Sequence, residues 1–424
     1  MSNEKVYFRT GLGLKREILP VLEGEYDSRI VDWLRGHGYS ASARGVMIRL
    51  AEEFGYCYGV DRAVQYAYEA RHKFPDRRLF LVGEIIHNPH VNRRLREMGI
   101  EFLMPGPDAR FDFRDITPED VVIIPAFGVT LHDFAALREI GCSLVDTTCG
   151  SVLNVWKRVE SYAEDGYTAI IHGKHFHEET KATASQASRH PRGAYLILRD
   201  LDEARLVRDY IVEGGVRTAF LQRFGHACSE GFDPDRDLVK IGVANQTTML
   251  ASETVRIAEE LRAAMIQRYG AEQLGSHYRH FDTLCSATQD RQDAVIKMMQ
   301  SPPDIMIVIG GYNSSNTNHL ALICAEHTRT YHVEDSTCID PESGTITHKI
   351  VGTDSVVTER GWLPEDTIEI GFTAGASTPN NKIGDTIERV LATRGVPLEE
   401  LFNAGPAGNQ PSERNLSSPT SGDE

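Results

Sequence analysis

Short, unbroken runs of apolar residues, many of them β-branched, alternate along the chain with longer segments of helical periodicity. Such runs are typical of strands that are buried on both faces, as in parallel sheets. Their alternation with helices predicts an α/β fold in which helices cover parallel sheets. The predicted strands are Leu79–Val82, Val121–Ile124, Thr168–Ile171, Val239–Val243, Ile305–Ile309 and Thr367–Ile370, and the clearest predicted helices are Ser252–Ile266 and Asp290–Met299.

The two ends of the chain differ from this pattern. Residues 1–45 are interpreted as a peripheral extension with one short amphipathic helix near Ile30–Leu34. Residues 404–424 are rich in Pro, Gly, Ser and Asn and contain almost no large apolar residue. Such a segment cannot bury enough apolar surface to offset the entropy lost on folding, so it is predicted to be disordered.

Polar residues capable of chemistry follow several of the predicted strands directly. They are His87, residues 172–179, Gln246–Thr248, Asn313–Asn316 and Ser377. In open parallel sheets, ligands bind beyond the carboxyl ends of the strands. The sequence therefore places its candidate chemistry where this architecture binds ligands.

Three of the seven cysteines, Cys57, Cys149 and Cys285, share one setting, at or just before the start of a predicted helix. Free backbone N–H groups and the helix dipole stabilise a thiolate at that position. Three thiolates from three similar units can converge on one pseudo-threefold axis. A four-iron cluster held by three protein ligands would then keep one iron open to substrate.

Ordinary burial is the alternative interpretation of these cysteines, because buried thiols are common and no Cys-x-x-Cys pair occurs. The other four, Cys142, Cys228, Cys324 and Cys338, lack the helix-start setting and are assigned to packing or to the surface. An odd number of widely spaced cysteines also disfavours a disulfide framework.

The segment IIHGKHFHEETKAT carries His172, His175, His177, Glu178 and Glu179 directly after a predicted strand. The spacing of two between His177 and Glu179 does not place them on one face of a helix, whereas a loop or an extended segment can aim both inward. Zinc binding is an alternative, although the His-Glu-x-x-His spacing is missing. A solvated polar loop is a second alternative.

Two turns rich in glycine and hydroxyl groups, Gly310–Leu320 and Thr373–Asn380, offer donors suited to an anion. His87 adds an imidazole that can donate to a phosphate oxygen. Neither turn is a P-loop, and each by itself is also consistent with a plain helix cap.

Length, composition and charge narrow the class of protein. The 424 residues predict two or three domains, and 41% hydrophobic with 25% charged residues is an ordinary globular balance. No apolar stretch approaches the roughly 20 residues that span a bilayer, and the N-terminal sequence is neither a secretory signal nor a transit peptide. A cytoplasmic protein without membrane contact is therefore expected. The formal net charge of −16 argues against nucleic acid as a partner.

A set of segments carries a resemblance to a known family: FGYCYGVDRAV, GEIIHNPHVN, PAFGVT, VDTTC, HGKHFHEETKAT, ANQTTM, FDTLCSATQDRQDAV, GGYNSSNTNHL and TAGASTP. In this order they resemble the 4-hydroxy-3-methylbut-2-enyl diphosphate reductase (LytB) family over about residues 46–395. The N-terminal extension and the PAFGV segment are similar to the cyanobacterial and plant branch of that family.

The resemblance implies three similar α/β units with small parallel sheets, arranged pseudo-threefold around a central iron–sulfur cluster. It implies units at 46–147, 148–282 and 283–370, and a segment 371–403 that returns to the first unit and the central site. It also implies a two-electron reductive dehydroxylation of an allylic diphosphate, which yields isopentenyl and dimethylallyl diphosphates in the methylerythritol phosphate route to isoprenoids.

Residue by residue, the resemblance implies one 4Fe-4S cluster per chain with three cysteine ligands and one open iron. It also implies a proton relay that protonates the substrate and a set of residues that binds it. The cluster ligands are Cys57, Cys149 and Cys285; the proton donor and its relay are Glu179 and Thr247; the substrate-binding set is His87, His177, Thr288, Ser314, Ser315, Asn316 and Ser377.

Two positions depart from the common family pattern. Phe127 stands where many relatives have a histidine that donates to the diphosphate, and either the remaining donors or a nearby group such as His175 is expected to compensate. Gly150 follows Cys149 where proline is common. A non-redox iron–sulfur hydro-lyase and a cluster-based sensor are the alternative functions.

An external electron donor is expected, because the chain has no Gly-x-Gly-x-x-Gly fingerprint for a nucleotide. The resemblance implies a ferredoxin or a flavodoxin. Both carriers are usually acidic, so docking on this acidic chain requires a local basic patch, for which Arg93, Arg94 and Arg96 are the candidates.

Overall fold

A computed structural model of the protein describes residues 6–107, 110–281 and 284–403. Its strands form three sheets that are covered by helices, so the predicted α/β class is confirmed. Three predicted strands have the predicted bounds, and the others end one to four residues later, as Thr168–His172, Ile241–Asn245 and Ile368–Ala374. The predicted disorder of 404–424 lies outside the described residues.

The first sheet is entirely parallel, with the strand order Tyr7–Phe8, Ser143–Asp146, Val121–Ile124, Leu79–Val82 and Ile100–Leu103. Successive side chains of a strand point to opposite faces. Accordingly, Leu79 and Leu81 pack in one apolar cluster and Phe80 and Val82 in another. Burial on both faces is the reason that these strands are continuously apolar.

The second sheet is also parallel, with the order Tyr278–His280, Ile241–Asn245, Thr168–His172 and Tyr195–Leu198. The third sheet is mixed, with the order Ile339–Asp340, Thr345–Lys349, Arg329–Val333, Ile305–Ile309, Ile368–Ala374, Val46–Leu50 and Ser40–Ala43, and Val356–Arg360 pairs with Thr345–Lys349. Its four central strands are parallel.

Sheet membership differs from the predicted units at two places. Val46–Leu50, which was placed in the first unit, is hydrogen-bonded in the third sheet, where Ile368–Ala374 is its parallel partner. Ile368–Ala374 also runs across the predicted boundary between 370 and 371. Periodicity within a strand carries no information about a partner more than 300 residues away, so these pairings could not be predicted locally. The division into units otherwise stays a prediction.

Helices occupy the segments between the strands. Their bounds are Lys15–Tyr26, Arg29–Gly36, Tyr58–Lys73, Pro89–Glu97, Leu131–Ile140, Gly150–Glu164, Glu178–Ser185, Leu201–Glu213, Arg217–Phe224, Pro234–Asp237, Ala251–Tyr269, Leu274–His277, Ser286–Met299, Ser315–Ala325, Asn380–Thr393 and Leu398–Asn403. Among the described residues, no helix combines the length and apolar character needed to cross a membrane.

The expectation that residues 1–45 are peripheral is wrong for the described part of this segment. Tyr7–Phe8 adds a strand to the first sheet, and Ile18 and Leu22 of the helix Lys15–Tyr26 are buried in the core of that sheet. The buried carboxylate of Glu69 accepts a hydrogen bond of 2.8 Å from the backbone N–H of Leu12. The N-terminal segment is therefore an integral part of the fold.

Candidate functional site

Each of the three predicted cluster cysteines is the N-cap residue of a helix. Cys57 precedes the helix Tyr58–Lys73, Cys149 precedes Gly150–Glu164, and Cys285 precedes Ser286–Met299. We call these the Cys57, Cys149 and Cys285 helices. All three cysteines have extended backbone angles, and none uses its side chain to accept a capping hydrogen bond. The equivalent setting inferred from the sequence is thus present, and it leaves the thiols available.

Burial changes the acidity expected of two of these thiols. Desolvation raises the pKa of Cys57 and of Cys149, although backbone N–H groups at the helix starts oppose the shift. The backbone N–H groups at the helix starts thus favour the thiolate as expected from the sequence, but for this pair burial has the larger effect. A bound metal cation would supply the missing compensation for the negative charge.

Two of the thiols converge on one glycine. A Cβ atom at Gly59 would lie 2.5 Å from Sγ of Cys149 and 3.9 Å from Sγ of Cys57. Any side chain at this position would displace Cys149, so the close approach requires glycine. Cys285 lines the same pocket as the other two cysteines, and all seven cysteines of the chain are free.

An arginine from each cysteine helix contacts the segment that leads into the next cysteine. Arg62 of the Cys57 helix donates to the carbonyl oxygens of Thr147 and Thr148, just before Cys149. Arg158 of the Cys149 helix lies 4.1 Å from the ring centre of Phe281, four residues before Cys285.

The third contact closes the cycle. Arg291 of the Cys285 helix is buried and donates to the carbonyl oxygens of Gly55 and Tyr56, at 2.7 to 3.0 Å, just before Cys57. The three cysteine loops are thus held against one another by a ring of guanidinium groups.

A buried carboxyl group faces the same pocket. Glu179 is 1% exposed, and its two oxygens accept from the backbone N–H of Thr247 at 2.5 Å and from the Thr247 hydroxyl at 3.0 Å. Desolvation raises its pKa to about 7, against the effect of these two hydrogen bonds. Near neutral pH this carboxyl group can therefore both hold and release a proton.

Two buried imidazoles form a hydrogen-bonded pair whose tautomers follow from their partners. His177 is the N-cap of the helix Glu178–Ser185, and its Nδ1 accepts from the backbone N–H of Glu179 at 3.2 Å. Its proton is therefore on Nε2, which lies 3.1 Å from Nε2 of His87. His87 in turn carries its proton on Nδ1, 3.0 Å from the Glu84 carboxylate. Burial holds the pKa of His177 well below its usual value, so this imidazole is neutral.

The position of His177 explains how it and Glu179 share the pocket. His177 is still extended, whereas Glu179 lies in the first helical turn. Atoms of His87, His177 and Glu178 also lie within 4.8 Å of one another, as in some cation sites. The imidazole hydrogen bonds already account for this cluster, and we assign no metal ion to it.

Hydroxyl and amide groups complete the opposite wall. Ser314 caps the helix Ser315–Ala325, and the Ser377 hydroxyl donates to the His87 carbonyl at 3.0 Å. Asn316 accepts from the backbone N–H of Ala376 at 2.9 Å, but its Nδ2 is buried without a partner among the described residues. A buried amide donor without a partner is costly, and it suits a ligand that accepts hydrogen bonds.

Every site residue predicted from the sequence lines this single pocket: Cys57, His87, Cys149, His177, Glu179, Thr247, Cys285, Thr288, Ser314, Ser315, Asn316 and Ser377. Phe127 lines it too, stacked on His87 at 4.4 Å between ring centres. His172 and His175 do not. His172 is hydrogen-bonded to Thr254. His175 packs edge-on against His226, so it does not compensate for Phe127.

Two kinds of supporting residue were missed: Glu84, which accepts from His87, and the ring arginines. Gln246, already noted from the sequence as a polar residue after a strand, accepts from the Lys174 backbone and from Thr180 and donates to Ser315. The only sequence signal for Glu84 was its spacing of three residues before His87; nothing local distinguished the arginines from surface cations.

Comparison with known proteins assigns the chain to a family. The family model described as LytB protein matches residues 48–391. The chain belongs to the LytB protein family. A LytB relative from Thermosynechococcus vestitus, named 4-hydroxy-3-methylbut-2-enyl diphosphate reductase, is 48% identical over 397 residues, which cover 93% of this chain and 97% of the relative. A relative of the same name from Gloeobacter violaceus is 47% identical, and the match covers 92% of this chain and 94% of the relative.

Solved structures agree with this LytB assignment. A structure of (E)-4-hydroxy-3-methyl-but-2-enyl diphosphate reductase, described as the terminal enzyme of the non-mevalonate pathway, is 26% identical with a TM-score of 0.50, covering 81% of this chain and 98% of that one. The reductase from Plasmodium falciparum is 19% identical with a TM-score of 0.58, covering 81% and 87%, and supports the fold. The two sequence relatives, from Thermosynechococcus vestitus and Gloeobacter violaceus, are cyanobacterial, as the extension and the PAFGV segment predicted.

Proposed function

We propose that this protein catalyses the reductive dehydroxylation of (E)-4-hydroxy-3-methylbut-2-enyl diphosphate to isopentenyl and dimethylallyl diphosphates. The names of the relatives support the substrate and the reaction. The observation that carries the proposal is the composition of one pocket. A buried, titratable carboxyl group, an imidazole pair and three free thiols face the same space. The cytoplasmic location remains a prediction from the sequence.

The cofactor we propose is one 4Fe-4S cluster held by Cys57, Cys149 and Cys285, with one iron open. The donor set fits, because three free thiols on helix N-caps line one pocket and no disulfide competes for them. When bound, such a cluster would supply two electrons singly and a Lewis-acidic iron toward the substrate hydroxyl. The guanidinium ring described above would hold the three cysteine loops at fixed separation.

Substrate binding requires the imidazole pair to rearrange. His177 donates from Nε2 to Nε2 of His87, so this donor is occupied within the pair. A diphosphate accepts hydrogen bonds and would replace His87 as the acceptor for this N–H. Glu84 would keep the His87 ring oriented by accepting from its Nδ1–H. The free amide of Asn316 and the helix start at Ser314 add neutral donors.

Proton delivery falls to Glu179 and Thr247. With a pKa of about 7, Glu179 is partly protonated at neutral pH and can donate to a leaving hydroxyl. The Thr247 hydroxyl, 3.0 Å from the carboxylate, can pass that proton on or orient the substrate oxygen. Since no cation contacts this carboxyl group within hydrogen-bonding distance in the described residues, desolvation keeps its proton affinity high.

Replacing Glu84 by glutamine should raise the KM for the diphosphate about 10-fold or more, with a smaller effect on kcat. The substitution preserves shape but removes the charged acceptor that holds His87 Nδ1–H and orients the ring, and hydrogen bonds to charged groups contribute about 1.5–3 kcal/mol. Steady-state kinetics would measure it. Glu178→Gln is the matched control, because the Glu178 carboxylate lies 3.7 Å from Nε2 of His87 and is not the partner of Nδ1. Equal effects of the two variants would contradict the assigned role of Glu84.

A ferredoxin or a flavodoxin is the electron donor we propose. Two of the three arginines suggested for its docking patch stay candidates. Arg94 forms an ion pair of 2.6 Å with Glu25, so its charge is compensated. Arg93 and Arg96 remain exposed.

Neutralising Arg93 and Arg96 together should raise the KM for the reduced carrier severalfold and flatten its salt dependence, because steering between charged surfaces weakens with ionic strength. Turnover with a small-molecule reductant provides the control and should not change. An unaltered KM for the carrier would exclude this docking patch.

Anaerobic purification followed by iron and sulfide analysis tests the proposed function. About four irons per chain are expected, with a visible spectrum that changes when the diphosphate is added. Turnover should require reductant. A fully active protein without iron would overturn the cofactor, and turnover without reductant would indicate the hydro-lyase instead.

A further inference from the structure

A second cavity of about 320 Å³ lies between the N-terminal strand, the first sheet and the Cys149 helix. It shares no lining residue with the candidate active site. Half of its lining residues are apolar or aromatic, among them Val129, Leu131, Phe134, Leu153 and Trp156, and the other half are polar or charged. A cavity of this size that combines an apolar wall with polar groups is typical of a small-molecule site.

Charged residues surround this cavity. Arg189 is paired with Glu160 at 3.6 Å. Arg9 and Lys157 are exposed and make no ion pair within the described part of the chain. The lining holds three cations against two carboxylates, so the local charge is positive in a protein of formal net charge −16, which favours an anionic ligand group.

The remaining carboxylate is already satisfied. Asp146 accepts from the hydroxyl groups of Tyr7 and Thr148, each at 2.5 Å, and from the Thr148 backbone N–H. It therefore has little capacity left to attract a cationic ligand.

Trp156 contributes its indole ring to the wall of this cavity. Its Nε1–H is fully buried and therefore faces away from the open space, so a ligand would contact the ring through apolar atoms. Trp156 also packs against Gly128, where any Cβ would overlap its ring.

We propose that this cavity binds an aliphatic phosphate ester of about ten carbons, with its chain against Phe134 and Trp156 and its phosphate at Arg9 and Lys157. This binding site goes beyond the proposed reductase activity and does not depend on it.

The site is connected to the candidate active site through two segments. Thr148, in the cavity wall, directly precedes Cys149, and Leu153 belongs to the helix that Cys149 caps. Gly128, against Trp156, follows Phe127, which stacks on His87. A ligand that shifts Trp156 or Thr148 should therefore alter turnover without competing for the substrate pocket. This regulatory consequence rests on the proposed function, whereas the binding itself does not.

Fluorescence of Trp156 tests the binding. The chain has three tryptophans, so the double variant Trp33→Phe/Trp362→Phe reports on this site alone. Decyl phosphate below its micellar concentration should give a saturable change, and 1-decanol should bind at least tenfold more weakly. Because Trp362 is fully buried and its replacement can impair folding, calorimetric titration of the unaltered chain provides an independent measurement.

Charge reversal then locates the phosphate. Arg9→Glu/Lys157→Glu should weaken binding at least tenfold, whereas Arg16→Glu/Arg256→Glu, with the same charge change on exposed residues outside the cavity, should not. His87→Ala should also retain binding. Absence of saturable binding by both methods would overturn the proposal, as would binding that survives the cavity variant or is lost only in His87→Ala.

Discussion

Replacing Glu179 by glutamine should lower kcat by about 10²–10⁴-fold while the cluster and diphosphate binding are retained. Glutamine fills the same space: its Oε1 still accepts from the Thr247 backbone N–H and its NH2 group can donate to the Thr247 hydroxyl, but it cannot release a proton to a leaving hydroxyl. The KM for the diphosphate should change little, because Glu179 is not part of the phosphate-binding wall. Steady-state kinetics, with iron content measured on the same sample, would show the separation.

The pH profile gives a second measurement of the same role. Because burial raises the pKa of Glu179 to about 7, the protonated form predominates below that pH. If protonated Glu179 is the acid, kcat should fall as pH rises through about 7, and Glu179→Gln should lack this limb. Glu178→Gln changes a neighbouring and partly exposed carboxylate, and this variant should keep the fall of kcat with pH. Normal turnover by Glu179→Gln would show that another group delivers the proton.

Replacing Cys149 by serine should remove most of the bound iron and abolish turnover. A serine hydroxyl is a poor iron ligand beside a thiolate, and two remaining cysteines cannot hold a cluster against dilution or chelator. Iron per chain after anaerobic gel filtration should fall below half of the wild-type value, with loss of the visible absorption. Thermal unfolding of the metal-free proteins would show whether the fold itself is preserved.

Cys228 provides the control for this substitution. It is partly exposed and lies outside the pocket, and its thiol makes a long contact of 3.8 Å to the Gly225 carbonyl. Cys228→Ser should therefore keep iron, spectrum and activity. Equal iron loss in both variants would mean that Cys149 is not a cluster ligand.

Buried strands were the elements best predicted from the sequence. Leu79–Val82, Val121–Ile124 and Ile305–Ile309 have the predicted bounds, because a strand covered on both faces leaves a short, unbroken apolar run. The strand Tyr7–Phe8 and the helix Lys15–Tyr26 were missed. A two-residue strand has no measurable period, and this helix contains Pro20 and has only three buried positions.

The residues of the candidate site likewise differ in how well the local sequence predicts them. The cysteines, Glu179 and the hydroxyl-rich turns were candidates because each lies at a strand end or helix start that the local pattern reveals, and the family resemblance implied their roles. Glu84 and the ring arginines Arg62, Arg158 and Arg291 were not, since their partners are distant in the chain or carry no signal of their own. The failure of His175 has the same origin, because the sequence placed it near the site and the fold turned it toward His226.

Local periodicity, helix-start chemistry and family motifs, all present in the sequence by itself, determined the α/β class, the family and the identity of the residues that line the pocket. Only the tertiary structure decided which strands share a sheet, how Gly59 admits Cys149, and how burial sets the pKa of Glu179 near 7. The physical reason is that desolvation and close packing depend on groups brought together from all parts of the chain. The cavity beside Trp156 is of the same kind, since its walls come from four separate segments that no local pattern connects.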